Sequence, residues 1–193
     1  MSRLNSKKEH ILWSGLELMK RQGYNGTSVK DIVDAAGVPK GSFYNYFQSK
    51  ESFAVEALEA VAREDYLASR ELLSVTGKTP LQRLQYFFEQ NVLHACECEF
   101  QIGCFLGNLG QEMSDSNEAI RQKVKQVLKR NTQLFAEILD EAKEAGEIRQ
   151  TTQTEIVAEF IMNAWEGTLL RMKASRSREP LDAFLIMLPQ IAR

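Results

Sequence analysis

The densest run of chemistry-bearing side chains in this sequence is Lys40-Gly41-Ser42-Phe43-Tyr44-Asn45-Tyr46-Phe47. If it forms a helix, at about 100° per residue, turning Phe43 and Phe47 inward leaves Gly41, Ser42, Tyr44, Asn45 and Gln48 facing out. Lys40, in the first turn, is long enough to reach the same side. A cation, hydroxyls, an amide and a position with no side chain suit the edges of bases and the oxygens of phosphates. Ordinary surface helices carry Glu/Lys pairs, and this one has none. A second group, His94, Cys96, Cys98 and Cys104, offers soft metal ligands or reactive thiols. Its spacing fits none of the common zinc patterns, so no metal is expected. Two histidines, with no glycine-rich phosphate loop, nucleophile elbow or paired metal motif, argue against an enzyme.

The elements that would carry these groups are all helical. Val, Ile and Thr never alternate strictly, while apolar residues recur at three- and four-residue spacing. The pattern predicts a first helix over 6–22, stopped by Gly23. A second runs from Val29 to Ala36, with Ser28 and Asp31 spaced as a capping box. After the turn Ala35-Ala36-Gly37-Val38, a third starts at Pro39, where a missing N–H costs nothing. Two short helices joined by a tight turn with glycine make a helix-turn-helix. Ser49 caps a fourth helix to about Leu73, and Thr79-Pro80 opens a fifth. A sixth lies between Gly103 and Met113, and a seventh covers about 117–145. The eighth spans 154–174 and the ninth begins at Pro180. In the sixth, Gly103, Gly107 and Gly110 weaken the helix, each at about 1 kcal/mol against alanine. Cys104 is expected in its first turn, where the helix dipole favours a thiolate. It reads either as a reactive thiol or as an inert one.

Bulk properties agree with one or two compact domains in 193 residues, 44% of them hydrophobic. Residues 1–50 hold eight Lys/Arg against four acids, a formal +4 in a chain of net −2, so the remainder is acidic. A basic head on an acidic body implies that the head meets phosphate. The polar start has no signal-peptide pattern and no apolar run reaches the ~20 residues of a membrane span. With an odd number of cysteines, three, a cytoplasmic location is expected.

The stretch from Gly23-Tyr24-Asn25-Gly26-Thr27-Ser28-Val29-Lys30-Asp31-Ile32 through Ala35-Ala36-Gly37-Val38-Pro39-Lys40-Gly41-Ser42-Phe43-Tyr44-Asn45-Tyr46-Phe47 to Ser49-Lys50-Glu51 resembles the DNA-binding signature of the tetracycline-repressor (TetR) family. The resemblance implies an all-α protein of about nine helices. Residues 1–50 would form a three-helix DNA-binding domain and 51–193 a helical effector-binding and dimerisation domain. It implies a transcriptional regulator, a repressor released from a palindromic double-stranded DNA operator by a small molecule or electrophile, with no cofactor. Thr27 and Ser28 match residues that hold a phosphate, and Tyr44, Tyr46 and Lys50 match backbone contacts. Lys40, Gly41, Ser42 and Asn45 match positions that read or approach bases; where the family often has histidine, this chain has Tyr46. The family's ligand cavity would be walled here by Phe87, Phe88, Asn91, Cys104, Phe105, Asn108 and Phe135. Its homodimer would pair the last two helices. Here these carry Ile156, Val157, Phe160, Ile161, Ala164, Trp165, Leu169 and Met172, then Phe184, Leu185, Leu188 and Ile191. A helix apolar around most of its circumference needs cover on both sides. The string Gly103-Cys104-Phe105-Leu106-Gly107-Asn108-Leu109 is similar to a subgroup that responds to electrophiles through cysteine.

Overall fold

A computed structural model describes residues 3–101 and 103–191. Among them are nine helices and no strand: α1 (Arg3–Gln22), α2 (Val29–Ala35), α3 (Lys40–Tyr44), α4 (Lys50–Leu73), α5 (Pro80–Glu97), α6 (Phe105–Met113), α7 (Glu118–Glu144), α8 (Thr154–Ser175) and α9 (Glu179–Ile191). Their ends follow local chemistry. The Ser28 Oγ accepts from the Asp31 N–H at 3.1 Å while the Asp31 carboxylate accepts from the Ser28 N–H at 2.8 Å, the reciprocal cap of α2. Asn117 caps α7 through Oδ1, which accepts from the Ile120 N–H at 3.0 Å. Gly23, Gly37 and Gly146 end α1, α2 and α7 with φ of 78°, 62° and 74°, backbone open to glycine at little cost.

One element starts later than its sequence pattern implies. Helix α6 begins at Phe105, so Cys104 stands just ahead of the first turn and Gly103 lies outside the helix. Glycine has the most backbone freedom to lose, and Gly103 is not recruited. Only two of the three glycines therefore weaken α6.

The chain forms two compact units, Met1–Arg63 with Phe105–Lys125, and Glu64–Cys104 with Gln126–Arg193. The first contains the basic head entire and adds the start of α4, all of α6 and the start of α7. Its core is an aromatic trio, Phe43, Phe47 and Phe53, with ring centroids 5.0–5.7 Å apart, and Ile11, Leu16, Met19 and Ile32 are also buried in this unit. The second unit is built around Phe88, whose ring lies 4.8–5.3 Å from those of Phe87, Phe135, Trp165 and Phe184. No helix among the described residues is long and apolar enough to cross a membrane.

Candidate nucleic-acid interface

Helix α3 is only five residues long, too short to hold itself. Its geometry is set from behind, where Phe43 is 0% and Phe47 1% exposed. Pro39 precedes it with φ −61° and ψ 147°, an extended residue from which the helix turns. With the two phenylalanines fixed, Lys40, Gly41, Tyr44 and Asn45 are exposed and Ser42 and Tyr46 half-buried. Among the described residues, the side chains of Lys40, Ser42 and Asn45 have no hydrogen-bond or ion-pair partner. Tyr44 is 55% exposed and is supported by edge contact with Phe43 at 5.4 Å. The surface is thus a set of polar groups held rigid and left unpaired.

The other sequence-predicted contacts are differently placed. Ser28, exposed at the start of α2, is engaged with Asp31 in the cap. Both bonds from Ser28 hold the Asp31 carboxyl below its usual range. Thr27 is wholly enclosed, and its hydroxyl donates to the Gly23 carbonyl at 2.7 Å. Lys50 donates to the carbonyls of Tyr24 and Thr27 at 2.8 and 2.9 Å, with its ammonium 4.0 Å from the Tyr24 ring centre. Desolvation pulls the Lys50 ammonium below the usual lysine range, against the nearby carboxylates of Glu51, Glu112 and Asp31. Tyr24 is buried, and that burial, with Glu51 beside its hydroxyl, pushes its phenol up to about 12. Thr27 and Lys50 therefore brace the α1–α2 turn in the unbound chain. Among the described residues, two of the three N–H donors of Lys50 are occupied and one remains.

Sequence reasoning did not find Glu112. Its two carboxylate oxygens accept from the N–H groups of Tyr24 and Asn25, at 3.1 and 2.8 Å. A partner 87 or 88 residues away leaves no local signal in the chain.

The residues expected to wall a ligand cavity are divided between the two units. Phe87, Phe88 and Phe135 are packed together in the second unit's core. Asn91 donates to the Phe87 carbonyl at 2.8 Å, within its own helix. Phe105 and Asn108 belong to the first unit. The half-buried Cys104 donates its thiol hydrogen to the Glu166 carboxylate, whose proton affinity is raised by burial and lowered by that bond. The second unit has a separate cleft of about 270 Å³, lined by Tyr66, Gln126, Lys129, Arg130, Gln133, Leu134 and Glu137. Within it the Arg130 guanidinium lies 4.6 Å from the centre of the Tyr66 ring.

Two family models match the chain. "Bacterial regulatory proteins, tetR family" covers residues 11–57, and "Tetracyclin repressor-like, C-terminal domain" covers 80–188. The chain is 33% identical over 178 residues to the HTH-type transcriptional repressor DhaR of Mycobacterium sp. (strain GP1), spanning 92% of this chain and 88% of that one. The crystal structure of regulatory protein TetR from Rhodobacter sphaeroides superposes with a TM-score of 0.89 at 31% identity, covering 95% of this chain and 97% of that one. The reduced form of E. coli NemR gives 0.88 at 28% identity, covering 95% of each chain.

Proposed function

The chain belongs to the tetR family of bacterial regulatory proteins, and on that premise we propose that it is a homodimeric transcriptional repressor that leaves its DNA operator when an effector acts on its helical body. The observation that carries the DNA-binding reading is the rigid, unpaired polar face of α3. A protein that used α3 only for packing would have no reason to hold Lys40, Ser42 and Asn45 outward without partners. Lys40, Gly41, Ser42 and Asn45 approach base edges in the major groove, while Tyr44, Tyr46, Ser28 and the spare donor of Lys50 meet phosphates. Thr27 serves the same phosphate from beneath, by fixing the turn. The location is the bacterial cytoplasm, where the operator is.

The effector is a small molecule received by the body, and the reacting group is Cys104 when that molecule is an electrophile. In an addition to an enone or quinone, sulfur bonds to the β carbon and the thiol proton ends on the carbonyl-bearing α carbon. Glu166, already hydrogen-bonded to that thiol, is placed to take the proton first. Phe87, Phe88, Asn91 and Phe135, close-packed without the effector, would have to part for a ligand to enter among them. Phe105 and Asn108 follow Cys104 on α6.

The experiment has two stages. Duplexes are selected from a randomised pool by the unmodified protein, and their binding is followed with rising salt and after treatment with a maleimide. A selected palindrome, a steep salt dependence, and loss of binding in the unmodified protein but not in Cys104→Ser are expected. Failure to select any sequence would overturn the DNA-binding reading. Unchanged binding with Cys104 modified by mass spectrometry would overturn the thiol switch.

A further inference from the structure

The turn joining α1 to α2, residues 23–27, is held by two side chains of opposite charge. On its N–H side Glu112 accepts from two consecutive amides, Tyr24 through Oε1 and Asn25 through Oε2. On its carbonyl side Lys50 donates to Tyr24 and Thr27. A turn between helices leaves N–H and C=O groups without helical partners, and hydrogen bonds to a charged group are the stronger kind that can satisfy them. Gly23 is part of the same fit. A β carbon there would stand 2.6 Å from Glu112 Oε1, and the φ of 78° disfavours any other residue.

The two supports come from different places. Lys50 opens α4, directly after the recognition segment. Glu112 sits in the last turn of α6, the helix whose first residue follows Cys104. The shape of the turn, and with it the start of α2, is therefore conditional on where α6 lies. Both bonds are made by one carboxylate, so a shift of α6 by more than the tolerance of a hydrogen bond breaks both together.

Resting on the reading of the head as a DNA-binding module, we propose that Glu112 is a positioning residue for operator binding: from α6 it holds the α1–α2 turn in the form that keeps Ser28 and the spare donor of Lys50 where they meet phosphate. Glu112 touches no DNA itself. Its contribution is to keep those two groups in register with the base-reading face of α3.

The test uses the full-length chain, the duplex it selects from a randomised pool, and the variants Glu112→Ala and Glu112→Gln. Amide hydrogen exchange at Tyr24 and Asn25 reads the contact directly, and fluorescence anisotropy across a salt series reads DNA binding. With Glu112→Ala, exchange at those two amides should quicken about tenfold or more while the core amides of α1 and α4 are unchanged. Affinity for the duplex should fall about tenfold, with a salt slope smaller by about one phosphate contact. Glutamine keeps one carbonyl acceptor, so Glu112→Gln should lie between the unmodified chain and Glu112→Ala in both readings. Undiminished binding by Glu112→Ala to a duplex the unmodified chain selects would overturn the proposal alone. So would exchange quickened equally at every amide, which marks a merely structural residue. If the unmodified chain selects no duplex, the DNA-binding reading falls and the positioning role with it, whatever the two amides do.

Discussion

Thr27 and Ser42 carry the same hydroxyl group in opposite circumstances. Thr27 is enclosed and donates to the Gly23 carbonyl, whereas Ser42 is half-buried on the outward side of α3 with no partner among the described residues. Thr27→Val keeps the shape and deletes the donor, so it should cost about 1–3 kcal/mol of stability, read by chemical denaturation. Ser42→Ala should leave stability within about 0.5 kcal/mol and weaken operator binding by about 1 kcal/mol, roughly fivefold. The reverse pattern would exchange the two roles. Glu166 gives a pH-dependent case. Burial raises its carboxyl above the ordinary range, against the smaller effect of the Cys104 bond. The folded chain thus holds that proton more tightly than the unfolded one, and stability falls as pH rises through the folded value. Glutamine cannot ionise, so Glu166→Gln should be the more stable protein at pH 8, with its advantage shrinking towards about pH 4, where the unfolded carboxyl also holds its proton. Denaturation at the two pH values checks this, and an equal difference at both would sever the link.

Among the elements, two glycines show how a helix can need the same residue for fold or for function. At Gly15, on α1, a β carbon would lie 2.7 Å from both Ile32 Cγ2 and Phe53 Cζ. Those neighbours are core side chains, so Gly15→Ala should destabilise by about 1–3 kcal/mol. At Gly41 a β carbon meets nothing within 4 Å, and the backbone is not left-handed. The fold gains nothing from a glycine there, so Gly41→Ala should stabilise the chain by up to about 1 kcal/mol. A ligand approaching the α3 backbone would meet the new methyl, and operator binding should weaken at least about fivefold. Thermal unfolding and anisotropy on the same variant separate the effects; unimpaired binding would remove Gly41 from the interface. The elements themselves were largely legible, because their stops are local: Ser28 with Asp31, Gly23, Gly37 and Gly146 act within a few residues of where they stand. The outward face of α3 was legible for the same reason, since Phe43 within it and Phe47 just past its end are both buried behind it. What the pattern did not carry was enclosure. Nothing in the string Gly26-Thr27-Ser28 says which hydroxyl is shut in, nor that Lys50 and Glu112 converge on one turn from opposite sides. The late start of α6 was hidden likewise, because Gly103 reads the same inside a weak helix or just before one.

At the scale of the whole molecule, what remains is the apolar surface left over once each unit has its core. Helix α9 divides cleanly: Leu181, Phe184 and Leu188 are buried, while Ile186 is 67% and Met187 47% exposed. Leu188, expected from sequence on the dimer surface with Leu185, is 2% exposed and belongs to the core with Trp165 and Phe184. The periodicity explains the correction, since residues 181, 184 and 188 share one helical face and 183, 186, 187 and 190 another. Helix α8 keeps a second outward line, Ile156, Phe160, Asn163, Gly167 and Leu170, spaced alternately by four and three. Ile156, Phe160 and Leu170 are each more than half exposed, and a β carbon on Gly167 would meet open space. Alternating steps of four and three are the seam of helices that pack side by side, with a small residue allowing close approach. A second copy of the chain, paired through α8 and α9, would cover this line and supply the second head that a palindromic duplex calls for. Phe160→Glu with Ile186→Glu should therefore yield a folded monomer, unchanged in circular dichroism, that has lost high-affinity binding to a palindromic duplex. Leu188→Glu places a charge in the core instead and should unfold the second unit. Sedimentation at micromolar concentration distinguishes them. A dimer that survives the double substitution would move the interface elsewhere, and an unmodified chain that sediments as a monomer would remove the dimer altogether.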